Sequence, residues 1–152
     1  MIYVLSTVGS VCGGWLPRGY ARLGMDLKHA RLAAMLTCAC LVVPILFAGG
    51  LHSEWLAVGL LSLAASAHQG WSANIFTTVS DMFPHEHVGT VVSFGQVGGA
   101  LGGAIFAAVA GHILQFTHSY VPLFLFSAFA YLIALVVLRT LAPGLKPVQL
   151  PA

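Results

Sequence analysis

AHQGWSANIFTTVSDMFPHEHVGTVVSFGQVGGALGG, running from Ala67 to Gly103, decides the architecture of this chain. It starts inside an apolar run and sets His68, Gln69, Ser72, Asn74, Thr77 and Thr78 into it. A turn follows around Pro84, and then a second apolar run that carries a ladder of glycines. Amides and hydroxyls are costly to hold away from water, so a greasy helix that retains them does so for packing or for a solute.

The rest of the chain has the same greasy character. Of its 152 residues 59% are hydrophobic and 7% are charged, with a mean hydropathy of +0.93. A soluble domain carries about 25% charged residues because its surface must be wetted. This composition therefore predicts an all-α integral membrane protein in contact with the lipid bilayer. The six Lys and Arg side chains are not gathered into a basic face, so no nucleic-acid partner is expected. Cys12, Cys38 and Cys40 lie in apolar runs without metal-like spacing, so neither a disulfide framework nor a zinc site is expected.

Read outward, the hydropathy predicts five membrane spans, at about 1–16, 32–48, 55–79, 88–114 and 120–138. The first is shorter than the ~20 residues needed to cross a bilayer, so its beginning is expected to lie outside this chain. Pro44 is expected to kink the second span. Trp55 stands where an interfacial anchor belongs, and Pro122 falls in the first turn of the fifth span, where proline is tolerated. Residues 1–142 then form one incomplete transmembrane bundle and 143–152 a proline-rich tail. With short turns the sides alternate. Arg18, Arg22, Lys28, Arg31, Arg139 and Lys146 fall on one side, and the opposite turns hold Glu54 as their formal charge. The positive-inside rule makes the basic side, and with it the C-terminus, cytoplasmic.

At about 100° per residue, Ser62, Ser66, Gln69, Ala73, Thr77 and Ser80 share one face of the third helix. His68 and Ser72 lie on its flank, Phe76 at its edge and Asn74 further round. Such an arc of donors and acceptors suits a polyol or sugar acid; the alternative is hydrogen bonding to neighbouring helices. In the fourth helix Gly95, Gly98, Gly99, Gly102 and Gly103 fall within an arc roughly 140° wide, with Gln96 at its border. Gly9 and Gly13 repeat the small-residue spacing in the first helix. Glycines so placed let another backbone approach, which makes Gly9, Gly13, Gly95, Gly99 and Gly103 candidates for helix packing.

His85-Glu86-His87 puts possible metal ligands two apart, which do not share a helical face, and no metal is expected there. The four acids (Asp26, Glu54, Asp81 and Glu86) map to loops and helix ends. No carboxylate is expected at membrane depth to relay protons. Neither a Ser-His-Asp set nor an HExxH motif is visible, so the chain is not read as an enzyme, and no cofactor is implied.

GGWLPRGYARLG, AHQGWSANIFTTVSDMFP and VGTVVSFGQVGGALGG together resemble the C-terminal part of major facilitator superfamily transporters. The likeness is to the anion:cation symporter group, and within it to hexuronate (glucuronate/galacturonate) transporters, with aldonate transporters nearby. The resemblance implies that the five spans correspond to the last five helices of a twelve-helix fold in a bacterial inner membrane. It also implies a sugar-acid solute held near the midplane between two rocking halves, so that the N-terminal half is needed as a partner. Such relatives set an aromatic residue and an amide against the solute, and Phe76 and Gln96 occupy those positions. Where relatives follow GGW with an acid and then arginine, this chain has Pro17-Arg18-Gly19. The solute contacts expected are Gln69, Ser72, Asn74, Phe76 and Gln96. The expected function is cation-coupled symport of a hexuronate or related sugar acid, with this chain as a C-terminal fragment. The alternative is a non-transporting remnant, or a helix-pairing module that acts only with a partner.

Overall fold

The computed structural model describes residues 2–51, 53–143, 145 and 147. Its regular structure is helical throughout: α1 (Ile2–Arg22), α2 (Leu27–Val42), a 3₁₀ segment (Val43–Gly50), α3 (Glu54–Met82), α4 (His85–Thr117) and α5 (Val121–Leu141). By length and composition, Leu27–Gly50, His85–Thr117 and Val121–Leu141 are each apolar enough to cross a membrane. The first and third helices, α1 and α3, interrupt their apolar residues with glycines, hydroxyls and, in α3, amides.

Helices overrun the apolar stretches that announce them. The first passes through Pro17 to Arg22, and the second begins at Leu27, so the basic loop contracts to residues 23–26. A helix can extend past an apolar run because its backbone groups bond within the segment, whatever the side chains meet. Pro44, expected to kink the second span, changes its helix type. Lacking an N–H, it cannot bond the carbonyl of Cys40; the N–H of Val43 takes that carbonyl instead, and the chain tightens into the 3₁₀ segment. Most of the tail 143–152, including Lys146, lies outside the described residues.

Close packing centres on α2, which buries Ala30, Ala34, Met35, Cys38, Ala39 and Val42 among α1, α3 and α5. Met35, Cys38 and Ala39 meet Trp71 of α3, with Leu16 and Leu132 against them. Val42, Ile45 and Ala48 meet Ala67 and Ala128, with Phe124 against them. By contrast, α4 has no buried residue among those described. It leans on α3 and touches α5 where Phe106 stacks on Phe126 at 5.0 Å between ring centres.

The tightest contact is the seam between α1 and α3. A Cβ added at Gly9 would lie 2.4 Å from the carbonyl oxygen of Ser66, and one at Gly13 would lie 2.2 Å from Cα of Gly70. Only glycine permits backbones this near. The Ser66 hydroxyl donates to the Leu5 carbonyl at 2.7 Å across the seam. Tyr20 and Thr37 share a 2.6 Å hydrogen bond between α1 and α2. At the charged end of the bundle, Arg31 near the start of α2 faces Asp81 near the end of α3. Their ion pair joins Nε of Arg31 to Oδ2 of Asp81 at 2.5 Å.

Candidate functional site

Two sides of α3 do different work. Toward α1, Ser62, Ser66, Gly70, Asn74 and Thr78 recur every four residues, which keeps them on one face. Asn74 is fully buried there. Its Nδ2 donates to the carbonyls of Gly13 and Gly70, each at 2.8 Å. The Gly13 carbonyl needs this donor for a covalent reason. Its helical partner would be the N–H of residue 17, and residue 17 is proline. Prolines inside membrane helices are tolerated when a neighbouring helix satisfies the freed carbonyl, and Asn74 does so here. Both amide hydrogens are thereby committed, while Oδ1 has no partner among the described residues. Asn74 is therefore placed as a helix tie and does not face the cavity described below.

The hydroxyls of α3 mostly turn back on their own helix. Ser62 donates to Val58, Thr77 to Ala73, Thr78 to Asn74 and Ser80 to Phe76, each to a backbone carbonyl. Gln69 is exposed and lies outside the cavity lining.

On its other side α3 forms one wall of a cavity of about 350 Å³. From α3 come His68, Trp71, Ser72 and Phe76; from α4 come Gly95, Gln96 and Gly99; and Tyr131 comes from α5. The volume falls in the range of ligand clefts, about 300–1,000 Å³. Positions 68, 72 and 76 are successive i, i+4 neighbours, so their side chains form a column up the wall. Without side chains at Gly95 and Gly99, and with nothing within 4 Å of where a Cβ would stand, the α4 wall stays back and the space stays open. A larger hollow of about 520 Å³, lined by Cys12, Trp15, Leu16, Gly19, Tyr20 and Leu23, belongs to α1 and the residue that follows it. One helix cannot enclose a solute, so that hollow is a surface groove.

Thus Ser72, Phe76 and Gln96 come together on one cavity, with Gly95 and Gly99 between them. Gln69 stands outside it, Asn74 is buried in the α1–α3 seam with Gly9 and Gly13, and Gly103 faces open space. Two further polar residues join the lining. His68 Nδ1 lies 2.6 Å from the Tyr131 hydroxyl, and Trp71 packs edge-on to the Tyr131 ring at 5.4 Å between centres. Tyr131 is not marked in the sequence, where it sits in an apolar run far along the chain. The signal that could find it is its hydroxyl, which in hydrocarbon requires a partner.

No family model matches the chain. Over 125 residues it is 28% identical to the hexuronate transporter of Escherichia coli strain K12, a match that takes in 82% of this chain and 29% of the relative. The hexuronate transporter of Escherichia coli O157:H7 matches to the same extent. The chain therefore spans less than a third of the length of these curated relatives. Its apolar helices and its similarity to transporters, which are not enzymes, relate the chain to integral membrane proteins of solute transport.

Proposed function

We propose that this chain forms part of the pathway of a membrane transporter for sugar acids, hexuronates foremost. In this reading all five α-helices span the membrane as the last five helices of a major facilitator fold, within a bacterial inner membrane, with the C-terminus cytoplasmic. The chain acts as one portion of a cation-coupled symporter and not as an enzyme. It works with the N-terminal portion that its relatives possess. The observation that carries the reading is the cavity between α3, α4 and α5, where Ser72, Phe76 and Gln96 offer a hydroxyl, an aromatic face and an amide to one solute. Gln69, exposed beside it, belongs to the open side of the same pathway, whereas Asn74 is assigned to helix packing. The identity with hexuronate transporters supports the solute class.

Uptake of labelled glucuronate and gluconate tests this. Cells would express the chain alone, and the chain with the companion portion of a hexuronate transporter. Uptake is expected from the pair, reduced about tenfold by Gln96→Ala or Phe76→Ala, the effect of losing roughly 1.4 kcal/mol of contact. Absence of uptake from the pair, with both parts present in the membrane, refutes the reading. The bare glycine face of α4 favours a second reading, a helix-pairing module. That reading expects self-association without uptake, weakened by Gly99→Leu.

A further inference from the structure

His68 and Tyr131 meet across 63 residues of sequence, with the Tyr131 hydroxyl 2.6 Å from Nδ1 of the imidazole. Both side chains line the cavity between α3, α4 and α5, and no lysine, arginine, aspartate or glutamate stands in that lining. We propose that this pair binds the hydroxyl edge of the solute, so that His68 and Tyr131 distinguish a sugar acid from a plain carboxylic acid. The proposal rests on the sugar-acid reading above. It adds which edge of the solute this wall receives, and through which atoms.

Hydrogen counting carries the argument. An uncharged imidazole and a phenol each bring a single polar hydrogen, and their mutual bond uses up one of the two. If Tyr131 donates to Nδ1, Nε2–H remains a donor and the tyrosine oxygen remains an acceptor. If Nδ1–H donates instead, Nε2 becomes the acceptor and the tyrosine O–H the donor. In either arrangement the pair offers the solute a donor and an acceptor, and it can exchange them. A sugar hydroxyl also donates and accepts, so neighbouring hydroxyls on a ring can satisfy both groups. A carboxylate only accepts. It would leave the acceptor of the pair unmet and its own charge without a cation in the lining. The carboxylate of the solute therefore belongs away from this wall, and its hydroxyls against it.

Packing places the pair. The Tyr131 ring lies against both apolar clusters of the core, and Trp71, 8% exposed, meets it edge-on at 5.4 Å between centres. His68 is exposed on the α3 wall, and its ring stands edge-on to that of Tyr131. The core thus holds the phenol, and the phenol holds the imidazole. Groups held in this way lose little freedom when a solute arrives.

The lining is also graded along its length. Toward the end of α3 beyond Phe76 it consists of Val79, with Val91 and Val92 from the start of α4. That end suits the C–H face of a ring and offers its oxygens nothing. Polar atoms gather from Ser72 and Gln96 toward His68 and Tyr131. A bond that merely tied α3 to α5 would be indifferent to the oxygens of the solute, and this difference separates the two roles.

The test uses the full chain with its companion portion in lipid nanodiscs, and labelled glucuronate as the bound ligand. Unlabelled glucuronate and tetrahydropyran-2-carboxylate compete for the site; the second keeps the ring oxygen and the carboxylate but has no hydroxyl. The ratio of the two competition constants is the readout. The wild type is expected to favour glucuronate by about a hundredfold or more, because a site built to bond hydroxyls rejects an analogue without them. His68→Leu is expected to lower that ratio about tenfold, the scale of one hydrogen bond, by weakening glucuronate and leaving the analogue unchanged. Tyr131→Phe is expected to do the same. His68→Gln restores a donor and an acceptor beside Tyr131 and is expected to keep most of the ratio. A ratio that stays within about twofold of the wild type in His68→Leu, while glucuronate still binds, overturns the proposal and leaves the sugar-acid reading standing. A wild type that binds both competitors equally does so too. Should His68→Leu bind neither competitor, Tyr131→Phe decides by the same criterion. Failure of the wild type to bind glucuronate overturns the sugar-acid reading and the proposal with it.

Discussion

If Asn74 is present because Pro17 leaves the Gly13 carbonyl without a partner, the two residues must be energetically coupled although they lie on different helices. In the native seam Asn74 Nδ2 donates to Gly13 and to Gly70 at 2.8 Å each. Gly70 lies within α3, where its carbonyl also has the helical N–H of residue 74, whereas Gly13 has no such partner. Asn74→Ala removes both side-chain bonds, but it orphans one carbonyl. Interhelical hydrogen bonds in membranes average about 0.6 kcal/mol and reach about 1.7, and an orphaned buried acceptor belongs at the upper end. We therefore expect Asn74→Ala to cost about 1.5 kcal/mol in the native chain. In a Pro17→Ala background the N–H of residue 17 returns to Gly13, and the same substitution should cost only about 0.5 kcal/mol. The coupling energy of about 1 kcal/mol corresponds to a roughly fivefold change in the unfolding equilibrium. Pro17 is itself buried, so its replacement has a cost of its own, which the double-mutant cycle subtracts. Reversible unfolding in mixed micelles, followed by helical circular dichroism, measures all four variants. Costs that add to within about 0.3 kcal/mol would refute the pairing of Asn74 with the proline.

Two further outcomes follow from the same seam and from the charged end of the bundle. Gly13→Ala would drive a Cβ to 2.2 Å from the Gly70 backbone and should destabilise by about 1–3 kcal/mol, as overpacking does. Its neighbour Gly14→Ala meets nothing within 4 Å and should be neutral or stabilising by up to about 1 kcal/mol, so the same unfolding assay contains its own control. Asp81→Asn leaves Arg31, whose side chain is 13% exposed, without its counter-charge. Because Asp81 is 39% exposed, the loss should be near 1 kcal/mol and should shrink at high salt; salt-independent destabilisation would argue against an ionic contact.

The helices are legible in the sequence because their causes are local. A chain with 7% charged residues has little to wet a soluble surface, and its apolar runs are divided by residues such as Pro84 and the Thr117-His118-Ser119 turn. Helix ends are less legible: α1 runs on through Pro17, and the proline that disturbs the second span produces a 3₁₀ segment instead of a bend. The reason is that the energy of a helix end depends on what receives its backbone groups, and at Gly13 the receiver lies on another helix.

Periodicity placed the polar residues on α3 but could not assign them. Ser72 and Asn74 are separated by about 200° around the helix. Which of those directions is a cavity wall and which is a seam depends on where α1, α4 and α5 stand. Tertiary packing turned Asn74 toward α1 and set Ser72, Phe76 and Gln96 around one space. It also brought Tyr131 to His68, a meeting that no local pattern encodes. The sequence by itself determined the greasy character of the chain and the number of its helices, and it offered glycines on α1 and α4 alike, of which Gly9 and Gly13 meet another backbone while Gly95, Gly99 and Gly103 meet nothing within 4 Å. The character and the number depend on composition and on single residues such as glycine and proline. Only the tertiary structure decided which polar groups hold helices together and which face the cavity, because a hydrogen bond is spent on whichever partner comes within about 3 Å.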